Sequence, residues 1–376
     1  GSGTGVIGSL GVRFNNFSMR NMFDTQTWSP LPSGDGQVFS IRLQSNGKYY
    51  QSFNIGFTEP WLGGKKPNSF NVGLYSSRYA RGTSKDDPAY GTLVTTGGTV
   101  GLGKQLQWPD DFFTLVSAIN ITNYSLNNYT TNFFINTGDA YSISLKETFG
   151  RNSMGPDFTF PKWGSNIWVS LAVTPPYSMF NDKDYSELPI AEKYKWVEFY
   201  KWRFGAEWYN NVFGKFVLKT AAKGGYLGYY DPQIGLTPFE RFDVGGDGLS
   251  QNYSLYGVDI ISQRGYNSVY AYAAPIFNKF TVELRYPFST SPSAFIYGTA
   301  WVEAGNAWYS FDDYDPFNLK RAAGLGLRVF LPIFGTVGFD YGIGFDKPTP
   351  PIPPRTLGEY LSAYGAFNIV LGFEPE

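Results

Sequence analysis

The side chains that carry most acid–base, nucleophilic and metal chemistry are missing from this sequence, because its 376 residues include no histidine and no cysteine. A Ser-His-Asp triad, a thiolate nucleophile and a zinc site with histidine or cysteine ligands are therefore excluded. Carboxylates and lysines remain, but the adjacent acids Asp110 and Asp111, like Asp312 and Asp313, match no calcium-binding loop and are typical of solvated turns. We therefore predict a protein that is not an enzyme and that binds neither a metal ion nor a cofactor.

A glycine-rich segment is the next candidate for a ligand site. The stretch from Gly98 to Lys104 fits the start of a phosphate-binding loop, but Gln105 stands where a serine or threonine would hold magnesium. The glycines also lie within a strand-like segment, whereas a phosphate-binding loop joins a strand to a helix. The formal net charge of −1 provides no basic surface for a phosphate backbone. The sequence therefore predicts neither a nucleotide site nor a nucleic-acid partner.

The elements that must position any site are strands, because apolar and polar residues alternate along most of the chain. From 337 to 346, apolar side chains at odd positions alternate with glycine or aspartate at even positions. No stretch approaches the roughly 18 uncharged apolar residues of a membrane helix, yet many alternating segments reach the about 9 to 11 residues with which a tilted strand crosses a bilayer. Strands of a soluble β-sandwich average about five or six residues. The pattern therefore favours an all-β transmembrane antiparallel β-barrel over a soluble all-β protein.

Tryptophans near the ends of the alternating segments support this interpretation. Membrane barrels carry aromatic girdles at both membrane–water interfaces, where amphipathic rings are stable. We therefore expect the following tryptophans to lie at the interfaces: Trp61, Trp108, Trp163, Trp168, Trp301 and Trp308.

About 15 segments show the alternation, with boundaries that carry errors of a few residues. Short links and longer loops alternate between them, as in outer-membrane barrels whose long loops face outward. Single-chain bacterial barrels usually have an even number of strands, so we expect sixteen strands, the first of which is not represented in residues 1–376. The segments are 8–20, 36–46, 49–59, 68–80, 94–107, 111–126, 138–151, 164–180, 195–211, 215–230, 279–289, 293–308, 320–331, 335–346 and 363–373.

The longest link, 231–278, is too long for a hairpin connection, and links of this size usually carry function. Fixing its backbone loses about 1–2 kcal/mol of entropy per residue, so the link needs an anchor to stay folded in a wet lumen. Arg264 can make a bidentate, charge-assisted contact, Gly265 allows a close or left-handed passage of the backbone, and Tyr266 adds a ring that packs. We therefore predict that these three residues anchor the link.

Five motifs occur in a fixed order along nearly the whole chain. They are Phe57-Thr58-Glu59-Pro60-Trp61, Glu240-Arg241-Phe242 with Gly245-Gly246-Asp247-Gly248, Arg264-Gly265-Tyr266, Trp301-Val302-Glu303-Ala304-Gly305-Asn306-Ala307-Trp308 and Phe339-Asp340-Tyr341-Gly342. Together they resemble the transmembrane domain of the BamA family of outer-membrane protein assembly factors, to which the two-partner secretion transporters are related. The ordered set is far more specific than any one motif.

The resemblance implies a barrel of sixteen strands that closes between the first and the last, with the sixth outer loop, 231–278, folded back into the lumen. In the family the loop arginine pairs with an acid on an inner strand wall, which assigns Arg264 to Glu303. The arginine usually follows valine or leucine and the acid is usually aspartate, so Gln263 and Glu303 depart from the pattern. The alternatives are a solvated loop arginine and a generic lumen-facing acid. The residues that approach the motif are Glu240, Arg241, Phe242, Gly245 and Gly246.

The last alternating segment, 363–373, is a weak closing strand. Gly365 and Gly372 lower its stability, and Pro375 has no N–H with which to continue pairing. A seam with few hydrogen bonds can open and expose an edge that templates another strand. The side chains expected to face outward are Phe367, Ile369, Leu371 and Phe373.

The resemblance, together with the weak closing strand, implies the central subunit of the outer-membrane β-barrel assembly machinery, an integral protein of the bacterial outer membrane that inserts other barrels through a lateral seam. The partners implied by the resemblance are unfolded outer-membrane proteins, accessory assembly lipoproteins and outer-membrane lipids. Family members carry periplasmic POTRA domains ahead of the barrel, and none is visible in residues 1–376, so we expect a single barrel domain here. A protein export pore of the two-partner secretion type, or a passive outer-membrane channel, is the alternative function.

Overall fold

The computed structural model describes residues 8–47, 49–64, 67–81, 87–129, 135–155, 157, 159–246, 258–291, 294–331, 335–348 and 354–371. Two residues predicted in the closing strand, Gly372 and Phe373, lie outside this part of the chain, as does the side chain of Leu371. The chain divides into two compact units.

Strands dominate the described residues. In chain order they are β1 Gly8–Phe17, β2 Gln37–Ser45, β3 Tyr50–Glu59, β4 Asn68–Arg81, β5 Gly91–Gln105, β6 Phe113–Asn127, β7 Gly138–Asn152, β8 Gly164–Val173, β9 Tyr200–Phe213, β10 Phe216–Gly228, β11 Arg241–Gly245, β12 Val258–Ile261, β13 Val269–Ala274, β14 Ile276–Ser291, β15 Ala294–Trp308, β16 Lys320–Leu331, β17 Gly335–Gly344 and β18 Gly365–Leu371. The helices are α1 Ile190–Lys193 and α2 Leu357–Tyr364, and 3-10 turns occupy Arg20–Phe23, Thr25–Thr27 and Tyr177–Phe180. No helix in the described ranges is long and apolar enough to cross a membrane.

Fifteen of the described strands form one antiparallel sheet, in which each strand lies beside its neighbours in the chain. The link between β10 and β14 is the exception. Its three strands form a separate small sheet in the order β12-β11-β13.

The long strands are apolar on their exposed face and polar on their buried face, which is the reverse of a soluble protein. On β14, Phe280 and Val282 are 42% and 49% exposed, whereas Glu283 and Arg285 are 1% and 3% exposed. On β7, Ile143 is exposed between two buried serines. Exposed apolar side chains in this pattern are stable when they contact lipid acyl chains.

The first unit comprises residues 1–149, 170–201 and 228–239. Its buried face combines hydroxyl groups with aromatic rings. The hydroxyl of Tyr75 lies 2.6 Å from that of Thr122, and Tyr124 stacks on Phe239 with 4.0 Å between ring centroids. Tyrosine suits this face because its ring packs while its hydroxyl finds a hydrogen-bond partner.

The second unit comprises residues 150–169, 202–227 and 240–376. Within it, β11 pairs in parallel with β12 and antiparallel with β13. Phe242 of β11 is buried against Phe277 of β14, with ring centroids 4.7 Å apart. This contact holds the small sheet against the long strands and positions the turn that follows β12.

The predicted segment 164–180 is too long. Its strand ends at Val173, because Pro175 and Pro176 have no N–H with which to continue a ladder. The residues that follow form the 3-10 turn Tyr177–Phe180.

The predicted start of the closing strand is also wrong. Residues 363 and 364 belong to α2, and β18 begins at Gly365. Thr356 caps α2 by accepting a hydrogen bond from the N–H of Glu359, whose carboxylate accepts one from the N–H of Arg355. Thr-x-x-Glu is the sequence signature of a helix start, and it outweighs the period-two pattern here.

The assignment of all six tryptophans to interfaces is only partly right. Trp301 and Trp308 are buried, so the assignment is wrong for them, and Trp168 is partly buried. Period two explains Trp301, because it lies on the same strand face as Glu303. Three tryptophans are exposed, which fits the prediction: Trp61, Trp108 and Trp163.

Candidate functional site

The turn that carries the loop arginine is fixed by backbone geometry. The N–H of Gln263 donates to the carbonyl of Gly246 at 2.8 Å, which ties the turn to the end of β11. Gly245 and Gly246 have φ of +113° and +73°, and Gly265 has φ of +86°, a region that glycine adopts without strain. A Cβ at Gly265 would lie 2.7 Å from the Cβ of Ala322 on β16. The turn therefore needs glycine both for its conformation and for its close approach to β16.

Arg264 reaches three buried carboxylates. Its main-chain N–H and its Nε–H donate to the two oxygens of Glu303 at 2.8 and 2.9 Å. Its Nη1 lies 2.9 Å from Oε2 of Glu283 and 3.7 Å from Oδ1 of Asp340. These acids belong to β15, β14 and β17, and all three are buried. One side chain thus joins the loop to three strands of the second unit.

Each of these carboxylates also has a cation on the strands. Buried charges are tolerated when they are paired and hydrogen-bonded, and here the strand acids and strand cations match one to one. Arg264 therefore adds a further positive charge to a set that already balances. The strand pairs are Lys279 Nζ with Glu303 at 3.4 Å, Arg285 Nε with Glu283 at 2.7 Å, and Arg328 Nη2 with Asp340 at 2.8 Å.

The guanidinium of Arg264 lies over the indole of Trp301, with 4.4 Å between Cζ and the ring centroid. Such a cation–π contact stabilises by about 2 kcal/mol when it is desolvated. The indole lies across β16 and β17. Trp301 lies opposite Gly324 of β16, which in turn lies opposite Gly342 of β17. A Cβ at either glycine would overlap the ring. The two glycines therefore make the space in which Trp301 supports the arginine.

Replacing Gly342 with alanine is expected to displace the indole of Trp301 and to destabilise the second unit by about 1–3 kcal/mol, as overpacking does. The measurement is the temperature at which the heat-modifiable band shifts in semi-native electrophoresis. Gly73→Ala on β4 is the matched control, because a Cβ there would have its nearest neighbour at 3.9 Å. Equal shifts for the two variants would contradict the need for glycine beneath Trp301.

Gln263, which departs from the family pattern, is fully buried and hydrogen-bonded. Its amide N–H donates to the carbonyl of Lys320, and its amide oxygen accepts from the hydroxyl of Tyr270 at 2.6 Å. The hydroxyl of Tyr266 donates to the carbonyl of Arg321 at 3.2 Å. Burial raises the pKa of Tyr266 to about 12 and also raises the pKa of Tyr270, so both remain hydrogen-bond donors at neutral pH. The glutamine thus adds polar contacts with β16 and β13 to the site.

The residues predicted to approach the motif form β11 and its two ends. Glu240 precedes the strand with φ of +66°. Arg241 Nη1 donates to the carbonyl of Ala273 at 3.3 Å, and the carboxylate of Asp243 accepts from the N–H of the same residue at 2.7 Å. Together with buried Phe242, these contacts hold β11 to β13. They position the turn that carries the arginine.

Asp243 gives the small sheet a pH dependence. Burial raises the pKa of its carboxyl above 3.8, so its contribution to stability is present below that value and is lost as the pH rises through the raised pKa. Lowering the pH from about 7 toward about 4 should therefore slow amide exchange in β11 more in the wild type than in Asp243→Asn, which cannot titrate. Hydrogen exchange read by mass spectrometry measures this difference. Parallel pH profiles for the two proteins would contradict the assignment.

The closing strand β18 pairs with β17 along its whole described length, starting at Gly365. Phe367 and Ile369 are exposed, whereas Asn368 is buried and lies opposite Asp340 in the register. The predicted site residues therefore form two groups, the loop motif with Glu303 and the closing strand. Asp340 lies next to both groups, because it is near the loop arginine and pairs across from Asn368.

Sequence reasoning placed several residues of the cluster outside it, and it assigned one of them, Trp301, to a membrane interface instead. Each of these residues lies on the polar face of a long alternating strand, where a buried charge or large ring is stable only with a partner. A charged or large aromatic residue on such a face is therefore the sequence feature that indicates the cluster. Among the described residues, no group of three or more histidine, cysteine, aspartate or glutamate side chains could hold a metal ion, and the acids face cations instead. The missed residues are Glu283, Arg285, Trp301, Arg328 and Asp340.

Three solved structures share the fold of this chain. BamA from Haemophilus ducreyi lacking POTRA domains 1–3 is 17% identical with a TM-score of 0.62, over 92% of this chain and 67% of that one. CdiB from Escherichia coli is 13% identical with a TM-score of 0.57, over 96% and 61% of the two chains. CdiB from Acinetobacter baumannii is 12% identical with a TM-score of 0.52, over 91% and 53%. This chain thus spans between 53% and 67% of the length of those proteins.

At these identities the likeness shows the fold alone, which is an all-β transmembrane antiparallel β-barrel. No curated protein sequence matches the chain. A family model described as the Omp85 superfamily domain, however, matches residues 33–372. Because this match covers most of the sequence, the chain belongs to the Omp85 superfamily.

Proposed function

We propose that this chain is the barrel subunit of an outer-membrane protein assembly machine, which inserts unfolded outer-membrane proteins through the seam between its first and last strands. The Omp85 barrel fold implies the outer membrane, and Omp85 proteins handle unfolded protein substrates. The observation that carries the proposal is the edge of the sheet at the closing strand. Among the described residues, β18 is the last strand in the sheet order and joins the sheet through β17 alone.

The proposed mechanism is an exchange of hydrogen bonds. A backbone N–H or C=O without a partner in hydrocarbon costs several kcal/mol, so an opened strand edge pairs readily with an incoming strand. Gly365 and Gly372 weaken the closing strand and Pro375 has no N–H to donate, so few hydrogen bonds hold the seam and little free energy is needed to open it. The client then gains backbone partners strand by strand and leaves into the membrane. No covalent bond is broken and no cofactor is needed.

The loop anchor has a complementary role in this proposal. Link 231–278 folds into the lumen, where Arg264, Gly265 and Tyr266 hold it against Glu303 and the strands beside it. The contacts with β14, β15 and β17 support this role, because they connect β17, the neighbour of the closing strand, to β14 and β15 and so stiffen this wall of the barrel. The wall stays in place while the seam opens.

Site-specific crosslinking tests the seam. The chain has no cysteine, so Ile369→Cys on β18 and Leu325→Cys on β16 each introduce a single thiol at an exposed apolar position. An arrested client with a cysteine in its terminal strand should crosslink to position 369 and not to position 325. Equal crosslinking at both positions, or none at 369, would refute a seam at β18.

The likeness to the two CdiB structures favours one rival, an export pore. The two functions differ in what depletion does. Loss of an assembly subunit should lower the amounts of many unrelated outer-membrane barrels, whereas loss of an export pore should leave them unchanged. A stable single-channel conductance with normal barrel levels after depletion would favour the pore.

A further inference from the structure

The helix that precedes the closing strand has an apolar stripe. At 100° per residue, four apolar or aromatic residues of α2 share one face, and Gly358, Glu359, Ser362 and Ala363 occupy the rest. Leu357 is 74% exposed and Tyr360 is also exposed. A stripe of this width is what a helix buries against an apolar partner. Its members are Leu357, Tyr360, Leu361 and Tyr364.

The helix is fixed beside the exposed face of β17. The hydroxyl of Tyr341, an exposed side chain of β17, donates to the carbonyl of Leu361 at 3.1 Å. Lys347 Nζ donates to the carbonyls of Tyr364 and Gly365 at 2.8 and 3.3 Å, which places a cation at the helix C-terminus, where the helix dipole favours it. Both ends are thus tied down, the N-terminus by its Thr356 cap and the C-terminus by β17 and the residues after it.

The stripe continues an apolar surface of the strands. The exposed side chains of β17 and β18 are apolar or aromatic, and in an Omp85 barrel this face contacts lipid. Tyr360 and Tyr364, with ring centroids 4.7 Å apart, are of the residue type enriched where a membrane meets water. The only charged residue of α2, Glu359, lies away from the stripe. The strand residues that form this surface are Phe339, Tyr341, Phe367 and Ile369.

From this continuity we infer that α2 is an interfacial membrane helix, whose apolar stripe lies among the acyl chains of the outer leaflet beside the closing strand. The leaflet follows from the chain path, because α2 stands at the same end of β14–β17 as the long links 229–275 and 309–319. The inference rests on the proposed membrane placement. It adds a lipid contact at the start of β18, the strand that clients approach in the proposed function. A helix inserted there disturbs the packing of the acyl chains.

Fluorescence quenching by lipid tests the inference in the full chain. Leu357→Cys and Ser362→Cys, each labelled with the fluorophore NBD, are inserted into phosphatidylcholine vesicles with or without phosphatidylcholine that carries a nitroxide on its acyl chain. We expect the label at 357 to be quenched several-fold more than the label at 362, because only position 357 lies on the stripe. Both positions are exposed, so neither substitution removes a core contact.

A third label separates the possible failures. Phe367→Cys marks the exposed face of β18 and should be strongly quenched in any inserted barrel. No quenching at 367 would overturn the membrane placement itself. Quenching at 367 with equal signals at 357 and 362 would overturn only the helix assignment. Protection of 357 from both the lipid nitroxide and aqueous iodide would show that protein covers the stripe, which also overturns it.

Discussion

Arg264→Ala is expected to free the loop from the strands while the sheet stays folded. The variant loses a charge-assisted hydrogen bond to Glu303, an ion pair with Glu283 and the stack on Trp301, together worth roughly 3–5 kcal/mol. Since about 1.4 kcal/mol is a tenfold change, the open population of the loop should rise about a hundredfold or more. Protease added from the outer side should then cut within 231–278 much faster, and under the proposed function the levels of assembled outer-membrane barrels should fall.

The heat-modifiable band should persist in Arg264→Ala, because each strand acid keeps its strand cation. Arg321→Ala is the matched control, since its side chain is 65% exposed and its ion pair with Asp346 is screened by solvent and contributes little to stability. Arg264→Lys should be intermediate, because lysine keeps the charge but lacks the planar, forked contact. Normal protease resistance in the alanine variant would contradict the anchoring role. Loss of the band would mean that Arg264 supports the sheet rather than the loop.

Gly265→Ala should displace the loop motif from the strands almost as completely as Arg264→Ala does. Alanine at φ of +86° is strained by about 1–2 kcal/mol, and its Cβ would lie 2.7 Å from that of Ala322, which adds about 1–3 kcal/mol of overpacking. The backbone of the turn must shift to relieve both effects, and the N–H of Arg264 then leaves Glu303. Hydrogen exchange of the turn and protease cutting of the loop should both accelerate.

Two variants separate strain from overlap at Gly265. The double variant Gly265→Ala with Ala322→Gly removes the overlapping methyl and should recover part of the protection, leaving the strain. Gly63→Ala has the strain without the overlap, since Gly63 has φ of +82° and nothing within 4 Å of its Cβ position, and it should leave the loop unaffected. No recovery in the double variant would show that contact with Ala322 is unimportant.

The long strands could be predicted from the sequence because each buries one face and exposes the other to lipid, so that period two persists over many residues. Segment 320–331 agrees with β16 at both ends. The link 231–278 also stood out, because the alternation stops there and resumes at β14.

The interior of that link could not be predicted. β12 has 4 described residues, too few for a period to show. Its parallel partner β11 is separated from it in the chain by residues outside the described ranges. Such pairing depends on tertiary contacts such as Phe242 against Phe277 rather than on local pattern. The start of α2 has a sequence signature, Thr356 three residues before Glu359, but the apolar alternation that follows does not show that the helix continues to Tyr364.

The acid cluster was only partly predictable for a different reason. Which cation meets which acid is set by strand register, and a shift of one residue would turn each side chain to the other face. The sequence shows Glu283, Glu303 and Asp340 on polar faces but not that β14, β15 and β17 bring them within reach of one guanidinium. The role of the glycines beneath Trp301 is equally unpredictable from the sequence, because it depends on the register that places Gly324 opposite Gly342.

The one-to-one match of strand acids and strand cations also bears on the order in which the protein forms. β14 to β17 can complete their hydrogen bonds as they insert without leaving a buried charge unpaired, since Lys279, Arg285 and Arg328 lie on these strands beside the acids. Arg264 of the loop can then bind after the strands have paired, and it can dissociate without breaking the ion pairs between strand residues. Docking of the loop can therefore follow completion of the strands, and it can be undone without breaking their charge pairs.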